Sequence, residues 1–341
     1  MATLLDSDEL ANRYRAKTIR LATRELLISR LSGSEQESDL SIPPNCDGYG
    51  RIRHFRNDGP SSRWSPNPLP IEPARRALGL PATTVLRAQA FQNAACNWRC
   101  WYCYVPFNLL AADETRGGWL TPDALVQSYT EQVDPPPMID LTGGQPDLVP
   151  EWIPWTMDAL DARGLASEVF LWSDDNLSND FFWTCLSDAQ IERVASWRNY
   201  GKVCCFKGFD ARSFSFNTCA AEELFARQFT LMGRLLDLGL DIYAYVTLTA
   251  ADGADITSAI PRFLDRLQEL DPNLPLRTVP LEIGVFSPVR RRLDVQTTSA
   301  LQNQWLAVDV FKREIERRFT AEMRSLPVTA VPLRKARKRA A

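Results

Sequence analysis

The run Cys96-Asn97-Trp98-Arg99-Cys100-Trp101-Tyr102-Cys103 constrains this chain more than any other stretch. It spaces three cysteines as CxxxCxxC, with an aromatic residue directly before the last. Three thiolates on one short loop can hold three irons of a cubane [4Fe–4S] cluster and leave the fourth iron without a protein ligand. Such an iron is reactive, because something else must complete its coordination. The same spacing also suits half of a zinc site, or three ordinary unpaired cysteines. Structural zinc wants four protein ligands. No fourth cysteine lies close in sequence, and the only histidine, His54, stands far upstream.

From residue 83 onward, apolar runs alternate with segments of helical periodicity. Candidate strands are 84–91, 138–141, 168–172, 202–206, 242–248 and 279–285; candidate helices between them are 151–163, 187–197, 221–238 and 257–269. Thr121 caps a further helix, with Pro122 at its first position, where a missing N–H costs nothing. This alternation predicts βαβ crossovers and a parallel sheet, with ligands at the carboxyl ends of the strands. Residues 6–31 read as one moderately amphipathic helix, from which Ile19 and Leu26 fall off the apolar stripe. Residues 32–80 are rich in Ser, Pro, Asn and Gly and predict an irregular wrap packed on the core, with a short strand at Arg51–Arg56.

Two strand ends carry further signals. Asp140-Leu141-Thr142-Gly143-Gly144-Gln145-Pro146 ends one apolar run in a glycine pair, and Phe206-Lys207-Gly208 ends another. Together with CNWRCWYC they resemble the radical S-adenosylmethionine (radical SAM) superfamily, in its single-cluster form. The first is similar to that family's Gly-Gly-Glu-Pro element, with Gln145 in place of Glu. The second is similar to the fourth-strand segment of its activase-like branch. The resemblance covers residues 83–290 and implies an α/β fold with a partial (βα)6 barrel. It also implies two cofactors, a [4Fe–4S] cluster on Cys96, Cys100 and Cys103 and S-adenosyl-L-methionine, with flavodoxin or ferredoxin as reductant. The amino and carboxylate groups of S-adenosylmethionine would chelate the open iron. Reductive cleavage would then yield a 5′-deoxyadenosyl radical that abstracts hydrogen from substrate.

The same resemblance assigns cofactor contacts. Tyr102 would meet the adenine edge through its backbone, and Ile283 would make an apolar contact to adenine. Gly143 and Gly144 would let the backbone approach the methionine amino group; Gln145 would accept a hydrogen bond without adding charge, and Pro146 would fix the turn. Ser173 and Asn176 would meet the ribose, although a helix cap or Asx-turn explains them too. Lys207 would meet the methionine carboxylate.

Strand alternation adds substrate-side candidates. Cys205 shares a face with Lys207, as a hydrogen donor to product or as a small buried hydrophobe. Tyr243, Tyr245, Thr247 and Thr249 share a face, with Tyr245 a catalytic candidate and Thr247 a substrate contact. Glu282, Arg290 and His54 are weaker substrate candidates, since loop arginines and a lone histidine are more often plain surface groups.

Composition sets the remaining limits. Net charge is −3 and pI about 5.5, so nothing pulls the whole chain toward nucleic acid. Eight scattered cysteines, no export signal and no long apolar run predict a cytoplasmic protein without membrane spans. The expected organisation is an N-terminal helix and proline-rich wrap over 1–82, the barrel over 83–300, and a C-terminal helix with a basic tail over 301–341. The reading that follows is a radical SAM enzyme acting on a small polar or nucleoside-like substrate. Its alternatives are a protein-directed activase or peptide modifier, a nucleic-acid modifier, and a non-catalytic iron–sulfur electron carrier.

Overall fold

A computed structural model describes residues 4–57 and 64–334. Helix α1 (Ser7–Thr18) starts where Asp6 accepts from the Glu9 N–H. It stops well short of the expected residue 31. The two residues that broke the helical stripe, Ile19 and Leu26, face each other as register partners in a hairpin of β1 (Ile19–Arg20) and β2 (Glu25–Ser29). Strand β3 (Gly50–Arg56) forms as the Arg51–Arg56 alternation predicts. Helix α2 (Ile71–Leu78) lies where irregular chain was expected. Its proline at 73 sits in the first turn, where no intrahelical N–H bond is lost, and its Ile71 and Ala74 are wholly buried.

Next come β4 (Val85–Gln92), β5 (Gly117–Leu120), which pairs with β2 in a separate small sheet, α3 (Pro122–Thr130), β6 (Met138–Thr142) and α4 (Trp152–Ala162). Thr121 caps α3 as predicted, accepting from Ala124 N. The chain continues through β7 (Phe170–Asp175), α5 (Phe181–Thr184), α6 (Asp188–Ser196), β8 (Tyr200–Phe206), α7 (Ala211–Thr218) and α8 (Leu224–Asp237). It closes with β9 (Ile242–Thr247), α9 (Ile256–Leu270), β10 (Thr278–Leu281), α10 (Ser287–Arg290) and α11 (Val295–Arg318).

The main sheet runs β10-β9-β8-β7-β6-β4-β3. Neighbours from β4 to β10 are parallel, and β3 is added antiparallel at one edge. The mixed α/β sheet curls into a half-barrel, with one more strand than the six expected. Alternation separates its two faces. Phe170, Trp172, Val203, Tyr243 and Val279 form an inner apolar floor with Leu69, Ile71 and Ala74 of the wrap. Leu171, Cys204, Phe206 and Ile242 face the surrounding helices. The wrap is therefore inside the curl as much as over it. Trp64 Nε1 donates to Pro280 O at 3.0 Å, and its ring packs edge-on against Trp305 of α11 at 5.5 Å. Of the predicted basic tail, Arg334 is tied through its backbone to Asp271, and residues 335–341 lie outside the described residues.

Candidate active site

The cysteine loop leaves β4 at the carboxyl end of the sheet and is held from three sides. Arg99 N and Trp101 N donate to the Thr218 and Asn217 carbonyls at 3.0 and 3.2 Å. Asn217 also accepts from Trp101 Nε1 and Thr249 Oγ1 and donates to Lys207 O, joining the loop to the ends of β8 and β9. Arg292 donates to Cys103 O at 2.6 Å and Val105 O at 3.0 Å, with its guanidinium 3.7 Å over the Phe107 ring. Cys96 and Cys100 are buried and Cys103 is half-buried. The Cys100 thiol is pushed up to about 12, by burial first. Burial also raises Cys96 and Cys103, and the thiols feel one another's charge.

The glycine pair faces this loop. Gly143 and Gly144 adopt φ of 66° and 55°, which only glycine takes without cost. A Cβ on Gly143 would lie 2.0 Å from Gln92 Cγ, and one on Gly144 would lie 2.2 Å from the Ala95 carbonyl oxygen. Gln145 N donates to Ala95 O at 2.7 Å, and Asn93 Nδ2 donates to Gln145 O at 2.8 Å, so the loops after β4 and β6 are stitched together.

Gln145 is engaged within the protein. Its side chain donates to Asp175 Oδ1 at 2.9 Å and accepts from Asn176 N at 2.8 Å, and it is wholly buried. It is a brace, and Pro146 opens the short turn Pro146–Leu148 behind it. Asn176 in turn donates to Gly144 O at 3.3 Å and lies 3.7 Å from Cys96 Sγ. Behind Gln145 the network continues to Lys202, whose ammonium holds Asp147 at 2.8 and 2.9 Å.

Inside the curl, the predicted phase of β8 holds: Cys205 and Lys207 face the lumen, and Cys204 and Phe206 face the helices. Lys207 is half-buried and makes no ion pair among the described residues. Burial works against its charge, but Cys205, Tyr102, Cys100 and Cys96 outweigh that and hold its pKa above the usual lysine range. The Cys205 thiol is pushed up to about 12 by burial, and it sits in register with Tyr245. Tyr245 OH accepts from Asn67 Nδ2 at 2.9 Å and donates to Leu69 O at 3.2 Å, so the wrap occupies it. Thr247 Oγ1 and Tyr102 OH are 3.0 Å apart, each the other's partner.

The remaining predicted contacts have surroundings of their own. Ser173 is on the helix side of β7, its hydroxyl 2.7 Å from Tyr200 OH, while Asp174 takes the lumen side. Ile283 is buried, with its backbone N–H and carbonyl both bonded to Gln304 of α11. Glu282 lies beyond β10, its Oε2 buried without a partner among the described residues, and burial raises its pKa. Arg290 is exposed at the end of α10. His54 lines a surface groove of about 470 Å³ beside β3.

Sequence reading missed Gln92. It is 1 % exposed, and neither polar atom of its carboxamide has a partner among the described residues, directly beside Gly143. Its signal is the phase of β4, where Ala88, Ala90 and Gln92 fall on the lumen face. Asp140 was the other missed signal, a charge inside an otherwise apolar parallel strand.

The residues present fit a cluster and an amino-acid-bearing cofactor. No His, Cys, Asp or Glu trio among the described residues gathers tightly enough to hold one metal ion. A cubane distributes its ligands over three iron atoms and needs no such convergence. Gln92, its carboxamide orphaned among the described residues, packs directly against Gly143, and Lys207 and the thiols act on one another's charge.

No family model matches the chain, and no curated protein matches it. Solved structures do match. SuiB of Streptococcus suis bound to the precursor peptide SuiA is 11 % identical, with a TM-score of 0.36, over 53 % of this chain and 36 % of that one. SuiB bound to S-adenosylmethionine is 14 % identical, with a TM-score of 0.36, over 53 % of this chain and 37 % of that one. The chain thus spans little more than a third of the length of these structures. A likeness this slight decides nothing about chemistry or substrate. No helix among the described residues is long and apolar enough to cross a membrane.

Proposed function

We propose that this chain is a single-cluster radical SAM enzyme that takes hydrogen from a small polar substrate. The observation that carries the reading is the three-cysteine loop at the carboxyl end of the parallel sheet, beside which Lys207, without an ion pair among the described residues, acts on the charge of Cys96, Cys100, Cys103 and Tyr102. Cys96, Cys100 and Cys103 hold the cluster. Lys207, Gln92 and the Gly143–Gly144 backbone receive the amino-acid end of S-adenosylmethionine. When bound, the two cofactors supply hydrogen abstraction from an unactivated carbon. Trp98 and Trp101, both buried, keep water from the loop. Cys205 stands on the lumen wall, where its thiol would give a hydrogen atom to the substrate carbon radical and the thiyl left behind would take one electron from the flavodoxin- or ferredoxin-type reductant and one proton.

Anaerobic reconstitution, followed by iron and sulfide assay and by reductant-driven formation of 5′-deoxyadenosine, tests this. One cluster per chain and cofactor cleavage are expected, and single Cys→Ala changes at 96, 100 or 103 abolish both. A fully loaded protein that cleaves no cofactor sinks the proposal. A peptide substrate is the second reading, favoured by the open groove along edge strand β3, which suits an extended segment. Stimulation of cofactor cleavage by a peptide and by no small molecule would select it.

A further inference from the structure

Above the apolar floor of the lumen, four charged side chains meet that the cofactor reading leaves unused. Arg51 and Arg53 stand on the lumen face of β3, one pleat repeat or ~7 Å apart. Arg53 donates to Asp140 Oδ2 at 3.1 Å, and Arg51 donates to Tyr104 OH at 3.1 Å. Asp174 comes from β7 beside them and accepts from the Thr142 hydroxyl. Asp140 is wholly buried and Arg51 only 8 % exposed, yet Asp140 Oδ1 and Arg51 Nε have no partner among the described residues. A buried carboxylate oxygen without a donor and a buried guanidinium N–H without an acceptor are both unfavourable. One small ligand carrying an ammonium and a carboxylate satisfies both.

We propose that Arg51, Arg53, Asp140 and Asp174 form the substrate subsite, and that it takes a free α-amino acid, ammonium toward the two aspartates and carboxylate toward Arg51. The proposal rests on the radical SAM reading and names its substrate class. The groove beside β3 is the way in; its lining includes Asp39, Ile42, Arg51, Arg53, His54 and Arg56. Arg53 belongs to both spaces, since its side chain is 31 % exposed while its guanidinium holds the buried Asp140. Three arginines against one aspartate draw a carboxylate inward. Helix α2 and the segment carrying Asn67 and Leu69 already fill the concave side, which favours a small ligand over a chain.

The test is calorimetric titration of the cluster-loaded full chain, with S-adenosylhomocysteine present to fill the cofactor site. The standard L-α-amino acids are titrated first, then the decarboxylated amine and the deaminated acid of any that binds. At least one amino acid binds, and each analogue binds roughly 10-fold or more weakly, because each lacks one charged hydrogen bond. Asp140→Asn abolishes the preference over the deaminated acid, and Arg51→Met abolishes the preference over the decarboxylated amine. Should Asp140→Asn fail to fold, Asp174→Asn carries the same expectation. Binding of no amino acid, analogues as tight as the zwitterion, or binding only of a residue within a peptide overturns the proposal. 5′-Deoxyadenosine formation by the same wild-type preparation reports on the cofactor reading separately: cleavage without amino-acid binding sinks the subsite alone.

Discussion

Strand β8 carries one lysine and is followed directly by another, and the two live in opposite worlds. Lys202 faces the helices, is wholly buried, and is answered by Asp147 at 2.8 Å and Asp175 at 3.8 Å. Lys207 lies an odd number of residues further on, so it faces the lumen, where thiols and a phenol surround it and no carboxylate pairs with it among the described residues. Lys202 is complete without a ligand. Lys207 has no carboxylate partner among the described residues, and an ammonium on a lumen wall can take an anionic ligand. The same contrast runs along β7, where outward Ser173 is satisfied by Tyr200 while inward Asp174 joins the open cluster.

The largest effect comes from changing each lysine to methionine. Lys202→Met strands buried Asp147 and is expected to destabilise the fold by about 3–5 kcal/mol, as removal of one partner from a buried pair does. Lys207→Met breaks no ion pair among the described residues, so the denaturant midpoint of the ligand-free chain should fall far less than that of Lys202→Met. Affinity for S-adenosylmethionine should fall about 10- to 100-fold, the worth of a charged hydrogen bond. Urea unfolding of both variants, beside cofactor binding for Lys207→Met, checks this. Equal destabilisation by the two changes would erase the distinction between the faces.

That distinction was only partly legible in the sequence. The phase of β8 could be read because Lys207 and the Gly208 that follows it anchor the strand end, and Cys205 followed from it. The phase of β7 could not. Parallel strands buried on both faces read as unbroken apolar runs, so Phe170-Leu171-Trp172 gives no hint that Ser173 turns outward. Lys202 carried no signal of its own, because its partners Asp147 and Asp175 come from the turn after β6 and the end of β7. Helix α2 stayed hidden among prolines that propensity reads as irregular, and tertiary packing of Ile71 and Ala74 on the lumen floor decided otherwise. The hairpin after α1 was written in the two residues that did not fit the helix, Ile19 and Leu26.

The second effect separates lumen charge from helix-side charge by pH. Asp140 is pushed up from 3.8 to about 7, by burial first and by Asp174 next, against the pull of Arg53 and Arg51. The folded chain therefore binds this proton more tightly than the unfolded chain. Its contribution to stability is complete below pH 3.8 and is lost as pH rises through about 7. Wild type minus Asp140→Asn, compared by urea midpoint across that window, should show a falling difference as pH rises. A flat difference would mean that Arg53 alone compensates the carboxylate and that the lumen holds no surplus acid.

The smallest effect is the most pointed test of the faces. In this structure the Ser173 and Tyr200 hydroxyls share a hydrogen bond, and the sheet stands between it and the lumen. Ser173→Ala should then lower stability by about 1 kcal/mol, the net worth of one buried hydrogen bond, and leave the affinity for S-adenosylmethionine unchanged. Tyr200→Phe removes the same bond from the other side and should cost a similar amount. The double variant should cost little more than either single one, because both changes delete one shared interaction. A drop in cofactor affinity of about tenfold in Ser173→Ala, equivalent to about 1.4 kcal/mol, would instead put the hydroxyl on the ribose. It would also reverse the phase of β7, and with it the placement of Asp174 in the lumen.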